Sequence, residues 1–264
     1  MATHPVPAIS AVLITFNAAR LLAEVLSALH WCDEIVVVDS GSKDDTLEIA
    51  QKYGCRILHR SFDGFGPQKQ YAVAQARNHW VLALDADEIV PDALKQEIIQ
   101  QVALVEAGEA SYQGFEIPRS LVFLGQLMRY GGEARSPILR LFDKRHGTYN
   151  TAPVHEKIVL EGSVRRLKNH LLHDSYGSLH DYFDKFNAYT SAAANELFER
   201  KKKKSTAKVI LRFPLTFLKE YFLKQNFLNG YPGFVWALFS ALYPVVKYAK
   251  LNELTDKEYN KKRA

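Results

Sequence analysis

The chain has 264 residues, 47% hydrophobic and 24% charged, with a formal net charge of +5. That usage excludes a disordered tail, a collagen-like repeat and a coiled-coil rod. At roughly 100–200 residues per domain it predicts one large domain, or a domain with an appendage. The two cysteines, Cys32 and Cys55, give no metal-ligand spacing and fit a reducing compartment. Met1 to Ser10 lacks the basic region and apolar run of a secretory signal, so a cytoplasmic protein is expected.

Charge is unevenly spread. Residues 201–264 hold 14 Lys and Arg against 4 Asp and Glu, a balance of +10, whereas residues 1–200 hold 20 against 25. A mildly acidic body with a basic, aromatic-rich end points to an anionic partner, either a nucleic acid or a membrane surface.

In chain order, Ala11 to Thr15 is a short apolar run, and helical spacing follows through Leu21, Leu22, Val25, Leu26 and Leu29. Glu34 to Val38 is a β-branched run ending at Asp39 and a Ser-Gly-Ser turn; Asp45 and Thr46 then open a helix to about Tyr53. Arg56 to His59 reads as a third strand. Gly64, Gly66 and Pro67 lead into a helix carrying Gln68, Lys69, Tyr71 and Arg77. Trp80 to Leu84 is a fourth strand, ending at Asp85-Ala86-Asp87-Glu88, and Pro91 starts a helix that runs to about Ala107. Short, fully apolar strands alternating with helices predict an α/β fold whose mainly parallel central sheet is covered on both faces. Ligands of such sheets bind beyond the carboxyl ends of the strands. Thr15, Asn17, Asp39 and Asp85 to Asp87 all fall there.

Shorter strands and Gly-rich turns are expected from Gly114 to about Glu156, and a helical pattern returns from Leu179 to Lys204. The run Lys201 to Lys204 marks a boundary between residues 1–200 and a helical extension over 201–264. Within that extension, the apolar run Phe234 to Val246 is too short for the ~20 residues a spanning helix needs. Arg212, Lys219, Lys224, Lys247 and Lys250 interleave with Phe213, Phe217, Tyr221, Phe222, Phe227 and Trp236. A basic, aromatic-rich amphipathic region of this kind can lie in the headgroup layer of an anionic membrane. It carries no groove-reading motif, so no nucleic-acid partner is expected.

Two carboxylates at i and i+2 of an extended segment point the same way and repel unless a cation sits beside them. Oxygen ligands suit a hard ion such as Mg²⁺ or Mn²⁺ that also binds substrate phosphates. In isolation Asp85 and Asp87 would read as a polar loop capping the next helix; the preceding buried strand and the convergent Asp39 favour a site. A dinucleotide fingerprint and a Walker phosphate loop are both missing, which argues against a dehydrogenase and a P-loop kinase. His170, His173, Asp174 and His180 match no common zinc spacing.

The string Ile-Val-Val-Val-Asp39-Ser-Gly-Ser-Lys-Asp-Asp45-Thr46, joined to Val-Leu-Ala-Leu-Asp85-Ala-Asp87-Glu88, resembles the nucleotide-sugar half of the family 2 inverting glycosyltransferases, whose fold is called GT-A. Pro67-Gln68-Lys69-Gln70 before Arg77-Asn78-His79-Trp80, the Val154-His155-Glu156 segment and the basic Phe/Tyr-rich end are similar to the lipopolysaccharide inner-core β-1,4-glucosyltransferase subgroup. The resemblance implies a donor half over about 1–110 and an acceptor half over about 111–200. It implies that Thr15, Asn17 and Asp39 hold the uracil and ribose of a UDP-sugar. Lys69 and Arg77 would lie near the diphosphate or shape its pocket, Asp87 would bind Mg²⁺ or Mn²⁺, and Asp85 would contact ribose or sugar. The family's late Glu-Asp pair is missing; His155-Glu156 stands instead, with Glu156 either the candidate base or a surface acid in a salt bridge. Arg140 reads two ways, as a donor-phosphate or phosphorylated-acceptor ligand, or as a solvated arginine on an edge strand. The implied reaction moves a hexose, with glucose the expected sugar, to a lipid-linked acceptor, a heptose of the lipopolysaccharide inner core, at the cytoplasmic face of the inner membrane. Polyprenyl phosphate or another envelope glycan is the alternative acceptor, and a nucleic-acid-binding module the distant alternative.

Overall fold

The computed structural model of the chain describes residues 7–132, 137–151, 156–201 and 206–261. Four parallel strands form its first sheet half: β1 (Ile9–Thr15), β2 (Glu34–Asp39), β3 (Arg56–His59) and β4 (Trp80–Asp85), in the order β3-β2-β1-β4. They are joined by α1 (Ala19–Ser27), α2 (Thr46–Lys52) and α3 (Phe65–Gln75). Successive side chains of a strand face opposite ways, and both sets are buried here. Ile9, Ala11 and Leu13 of β1 join Trp80, Leu82 and Leu84 of β4 in one core, with Leu22, Val25 and Leu26 of α1. Val12, Val36, Val38, Val81 and Ala83 face the other side, against Ala72, Val73 and Ala76 of α3. This two-sided burial is why the strands read as unbroken apolar runs. The register pairs Thr15 with Asp39 and Ile14 with Asp85, so the polar ends of three strands finish on one edge.

After β4 the chain forms β5 (Glu88–Ile89) and α4 (Asp92–Glu106), with Pro91 just ahead of the helix. Antiparallel elements then extend the sheet: β6 (Gly114–Phe123), β7 (Gln126–Leu127) and β8 (Pro137–Asp143). β8 lies between β4 and β6 and is antiparallel to both, so it is an interior strand. The hairpin of β9 (Gly147–Tyr149) and β10 (Ile158–Leu160) is separate. β11 (Val164–Arg166) pairs with β6, and β12 (Leu171–His173) pairs with β5, setting His173 opposite Glu88. The expected α/β class and parallel core are present. β6, at ten residues, is longer than the short strands expected for this stretch.

The chain divides into two compact units, one of residues 1–120 and 136–174, the other of 121–135 and 175–264. This differs from the boundary expected at Lys201. The reason lies in α5 (Leu179–Glu199), whose Tyr182 and Phe186 pack with Val235, Trp236 and Phe239 of α7 (Gly230–Lys261), around Phe123. Ser178 caps α5 by accepting a hydrogen bond from the Asp181 amide at 3.1 Å. Between them lie α6 (Thr206–Leu218), a π-helical turn over Lys219–Leu223 and a 3-10 turn over Asn226–Asn229.

The first turn of α7 passes so close to the 3-10 turn that a Cβ on Gly233 would lie 1.9 Å from the Asn226 carbonyl oxygen. Backbone must move to admit any side chain there. Gly233→Ala is expected to lower stability by about 1–3 kcal/mol, seen as a reduced midpoint in urea unfolding followed by circular dichroism. A midpoint equal to wild type would show that the turn yields freely.

Candidate active site

The edge where β1, β2 and β4 end is organised first by Asp39. Its Oδ1 accepts from Thr15 Oγ1 at 2.9 Å and Ser42 Oγ at 2.5 Å, and its Oδ2 from the amides of Gly41 at 2.8 Å and Ser42 at 2.9 Å. Gly41, at φ 96°, allows the chain to fold back over the carboxylate. Burial alone would raise the Asp39 pKa, but the bonds from Ser42, Gly41 and Thr15 outweigh it and hold it below the ordinary carboxylate value. Asn17 accepts from the Lys43 amide at 2.9 Å and gives its own amide to Ser42 Oγ at 2.9 Å. The Ala18 amide donates to Thr46 Oγ1 at 2.7 Å, and the Ala19 amide to Asp44 Oδ2 at 3.1 Å. The loops after β1 and β2 are thereby joined into one rim. Thr15 and Asp39 are buried beneath that rim, while Asn17 is exposed on it.

α3 supplies the next layer through the Pro-Gln-Lys-Gln segment. Gln68, fully buried, donates to Ser40 Oγ at 3.0 Å and to the Arg60 carbonyl at 3.2 Å, which supports the rim. Lys69 points across to Asp85 Oδ1 at 2.8 Å and Glu156 Oε1 at 3.0 Å. Gln70 donates to the Tyr149 carbonyl at 3.2 Å.

From β8 comes Arg140, buried rather than solvated. Its Nη2 donates to Asp85 and, at 2.7 Å, to Glu88 Oε1, while Nη1 lies 3.2 Å from the Tyr149 hydroxyl. The reading of Arg140 as a solvated arginine on an edge strand is corrected here, because β8 is interior and the guanidinium is buried against Asp85, Glu88 and Tyr149. Glu88 Oε2 accepts the Asp85 amide at 3.0 Å, and Arg119 lies 3.6 Å from Glu88. Burial opposes ionisation of Asp85, yet Arg140 and Lys69 hold its pKa far below the usual range. For Glu88 burial dominates over Arg140 and the pKa is raised. Burial would lower the pKa of Lys69 and of Arg140; their carboxylate partners reverse this and raise both.

Asp87 turns toward β12, where His173 Nε2 is 3.5 Å from its Oδ2. The carboxylate oxygen of this pair suits Mg²⁺ or Mn²⁺, whereas the imidazole nitrogen is a poor ligand for Mg²⁺ and favours the transition metal. Among the described residues no group of three or more His, Cys, Asp or Glu gathers to hold a metal alone. The residues therefore fit an ion shared with a ligand, not a closed structural site.

Arg77 is not brought to this edge. Its Nε is 3.7 Å from Glu34 Oε2, at the amino end of β2, and its side chain is 75% exposed. His155 lies outside the described residues. Sequence reasoning missed Glu88, Tyr149 and the pairing of His173 with Asp87. An arginine set between Leu139 and Leu141 in an apolar strand was the available signal for a buried acid such as Glu88.

An α/β domain of the GT-A class, with an acidic cluster at the carboxyl edge of its parallel strands, is what this fold and site define. The chain belongs to glycosyl transferase family 2, whose model matches residues 10–145. It is 30% identical over 250 residues to the lipopolysaccharide core biosynthesis glycosyltransferase LpsC of Rhizobium meliloti (strain 1021), covering 92% of this chain and 91% of that protein. It is 29% identical over 262 residues to a glycosyltransferase of Rickettsia typhi, covering 96% and 89%. Among solved structures it is similar to the S. aureus TarS fragment 1–349 in complex with UDP-GlcNAc, with a TM-score of 0.46, 18% identity and coverage of 93% and 88%.

Removing Arg140 leaves the buried Glu88 without its shorter ion pair, with only Arg119 at 3.6 Å as a cationic partner. Arg140→Ala is expected to cost about 3–5 kcal/mol in urea unfolding. Arg140→Lys should recover only part of this, because a single ammonium cannot span Asp85, Glu88 and Tyr149. Full recovery by lysine would reduce the planar fork to a simple charge.

Proposed function

We propose that the chain transfers a hexosyl group, glucose in the first instance, from a UDP-sugar to a lipid-linked acceptor, a heptose of the lipopolysaccharide inner core, at the cytoplasmic face of the inner membrane. The observation that carries this reading is the joining of Asp85 and Glu156 through one lysine, Lys69, beside Asp87 on the ligand-binding edge of a family 2 fold. The acceptor class is supported by the similarity to LpsC over nearly the whole chain.

The chemistry is a single displacement with inversion. The acceptor oxygen forms a bond to the anomeric carbon as the bond from that carbon to the UDP oxygen breaks, and UDP leaves with the electron pair. Glu156 takes the acceptor proton on Oε2, the oxygen that Lys69 does not hold. Lys69 fixes the position of this carboxylate relative to Asp85, which faces the sugar. Asn17 and the loop built on Asp39 line the nucleotide. Asp87 and His173 would hold Mg²⁺ or Mn²⁺, which supplies positive charge to the departing diphosphate.

Calorimetry of UDP and UDP-glucose with and without Mn²⁺ tests the donor half. Binding should require the metal in wild type and be lost in Asp87→Asn and His173→Ala. Absence of binding in every combination would remove the UDP-sugar reading. For the base, Glu156→Gln should keep UDP-glucose affinity but lower transfer to heptosylated lipid A core about 10²–10⁴-fold. Turnover near wild type would take Glu156 out of that role.

A further inference from the structure

α6 is apolar on two sides. Its inner side packs aromatically: Phe217 and Tyr221 lie 5.8 and 6.0 Å from the Phe234 ring of α7. Its outer side carries Leu211, Leu215 and Leu218, exposed by 61%, 66% and 49%, and continues into Phe222 and Leu223, exposed by 53% and 81%. Within α6, positions 211, 215 and 218 follow i, i+4 and i+7, the spacing that aligns side chains along one face. A helix of a water-soluble surface turns polar residues outward at such positions. A contiguous apolar face of this size marks an interaction surface.

What covers it is set by charge. Arg212 and Lys219, both exposed, flank the stripe, and the segment 201–264 carries a balance of +10. A second copy docking through the same stripe about a two-fold axis would bring a second set of cationic flanks to the same interface. An anionic surface with an apolar interior meets both features at once. Among the described residues no helix is long and apolar enough to cross a membrane. We infer that the outer face of α6 and the π-helical turn after it is a monotopic membrane-docking surface, with the leucines and Phe222 seated among acyl chains and Arg212 and Lys219 on anionic lipid headgroups.

The inference stands independently of the donor reading, and its test uses neither UDP nor acceptor. Full-length protein is floated with phosphatidylcholine vesicles, with and without phosphatidylglycerol, at low and high salt. Wild type should float with the phosphatidylglycerol vesicles, less so at high salt, and should stay behind with pure phosphatidylcholine. Leu215→Glu with Leu223→Glu, and separately Arg212→Glu with Lys219→Glu, should each lower the bound fraction about tenfold or more while circular dichroism and the unfolding midpoint stay those of wild type. These side chains are exposed, so folding should survive their replacement. Three results would overturn the inference: no flotation of wild type at low salt, flotation of both double variants at the wild-type level, or a wild-type dimer in sedimentation that Leu215→Glu with Leu223→Glu dissociates while vesicle binding is absent.

Discussion

Asp85 is a carboxylate held between two buried cations, and much of the first unit is arranged around that contact. Lys69 reaches it from α3, Arg140 from β8, and Glu88 balances the arginine from β5. Removing charges from water costs several kcal/mol per ion unless each finds a partner in good geometry. The cluster therefore forms only when the helix, the interior antiparallel strand and the end of β4 are in place together. Replacing such a network by apolar residues often leaves a fold as stable or more so. Its presence is better explained by what it does to Asp85: a side chain that would otherwise sample rotamers at a strand end is fixed on both oxygens.

A second layer of the same logic governs the rim. Asp39 accepts from two hydroxyls and two amides, which gives the loop after β2 one shape. Gln68 ties that loop to α3, one residue before Lys69. The rim and the acidic cluster are thus positioned by adjacent residues of one helix. A shift of α3 along its axis would disturb both, which accounts for a polar segment, Gln68-Lys69, buried inside a helix whose other buried residues are small.

The parallel half of the fold was legible because its strands are buried on both faces and show as uninterrupted apolar runs bounded by polar ends. The site was legible in part for the same reason: Asp39 and Asp85 stand where such runs stop. Arg140 is not on the expected edge strand because strand order is not local information. Nothing in Leu139-Arg140-Leu141-Phe142 says that β8 inserts beside β4 and becomes interior. Arg77 was misread in the opposite sense, since a residue after α3 returns the chain to the amino end of the sheet, one strand length from the site. His173 joined Asp87 only through the pairing of β12 with β5, strands separated by more than eighty residues. The basic end was plain from composition, but the boundary was drawn at the lysine run because the aromatic packing of α5 on α7 is a tertiary fact.

Charge balance connects the site to the proposed chemistry. Lys69, Arg119 and Arg140 each have a carboxylate partner within the cluster, among Asp85, Glu88 and Glu156. Those cations are thereby neutralised before any ligand arrives. Asp87 adds a further negative charge at the same edge. A nucleoside diphosphate brought there would add negative charge of its own, and transfer would increase the charge on its phosphate oxygens. On the proposed reading, a divalent ion at Asp87 and His173 would add positive charge at this edge from solution.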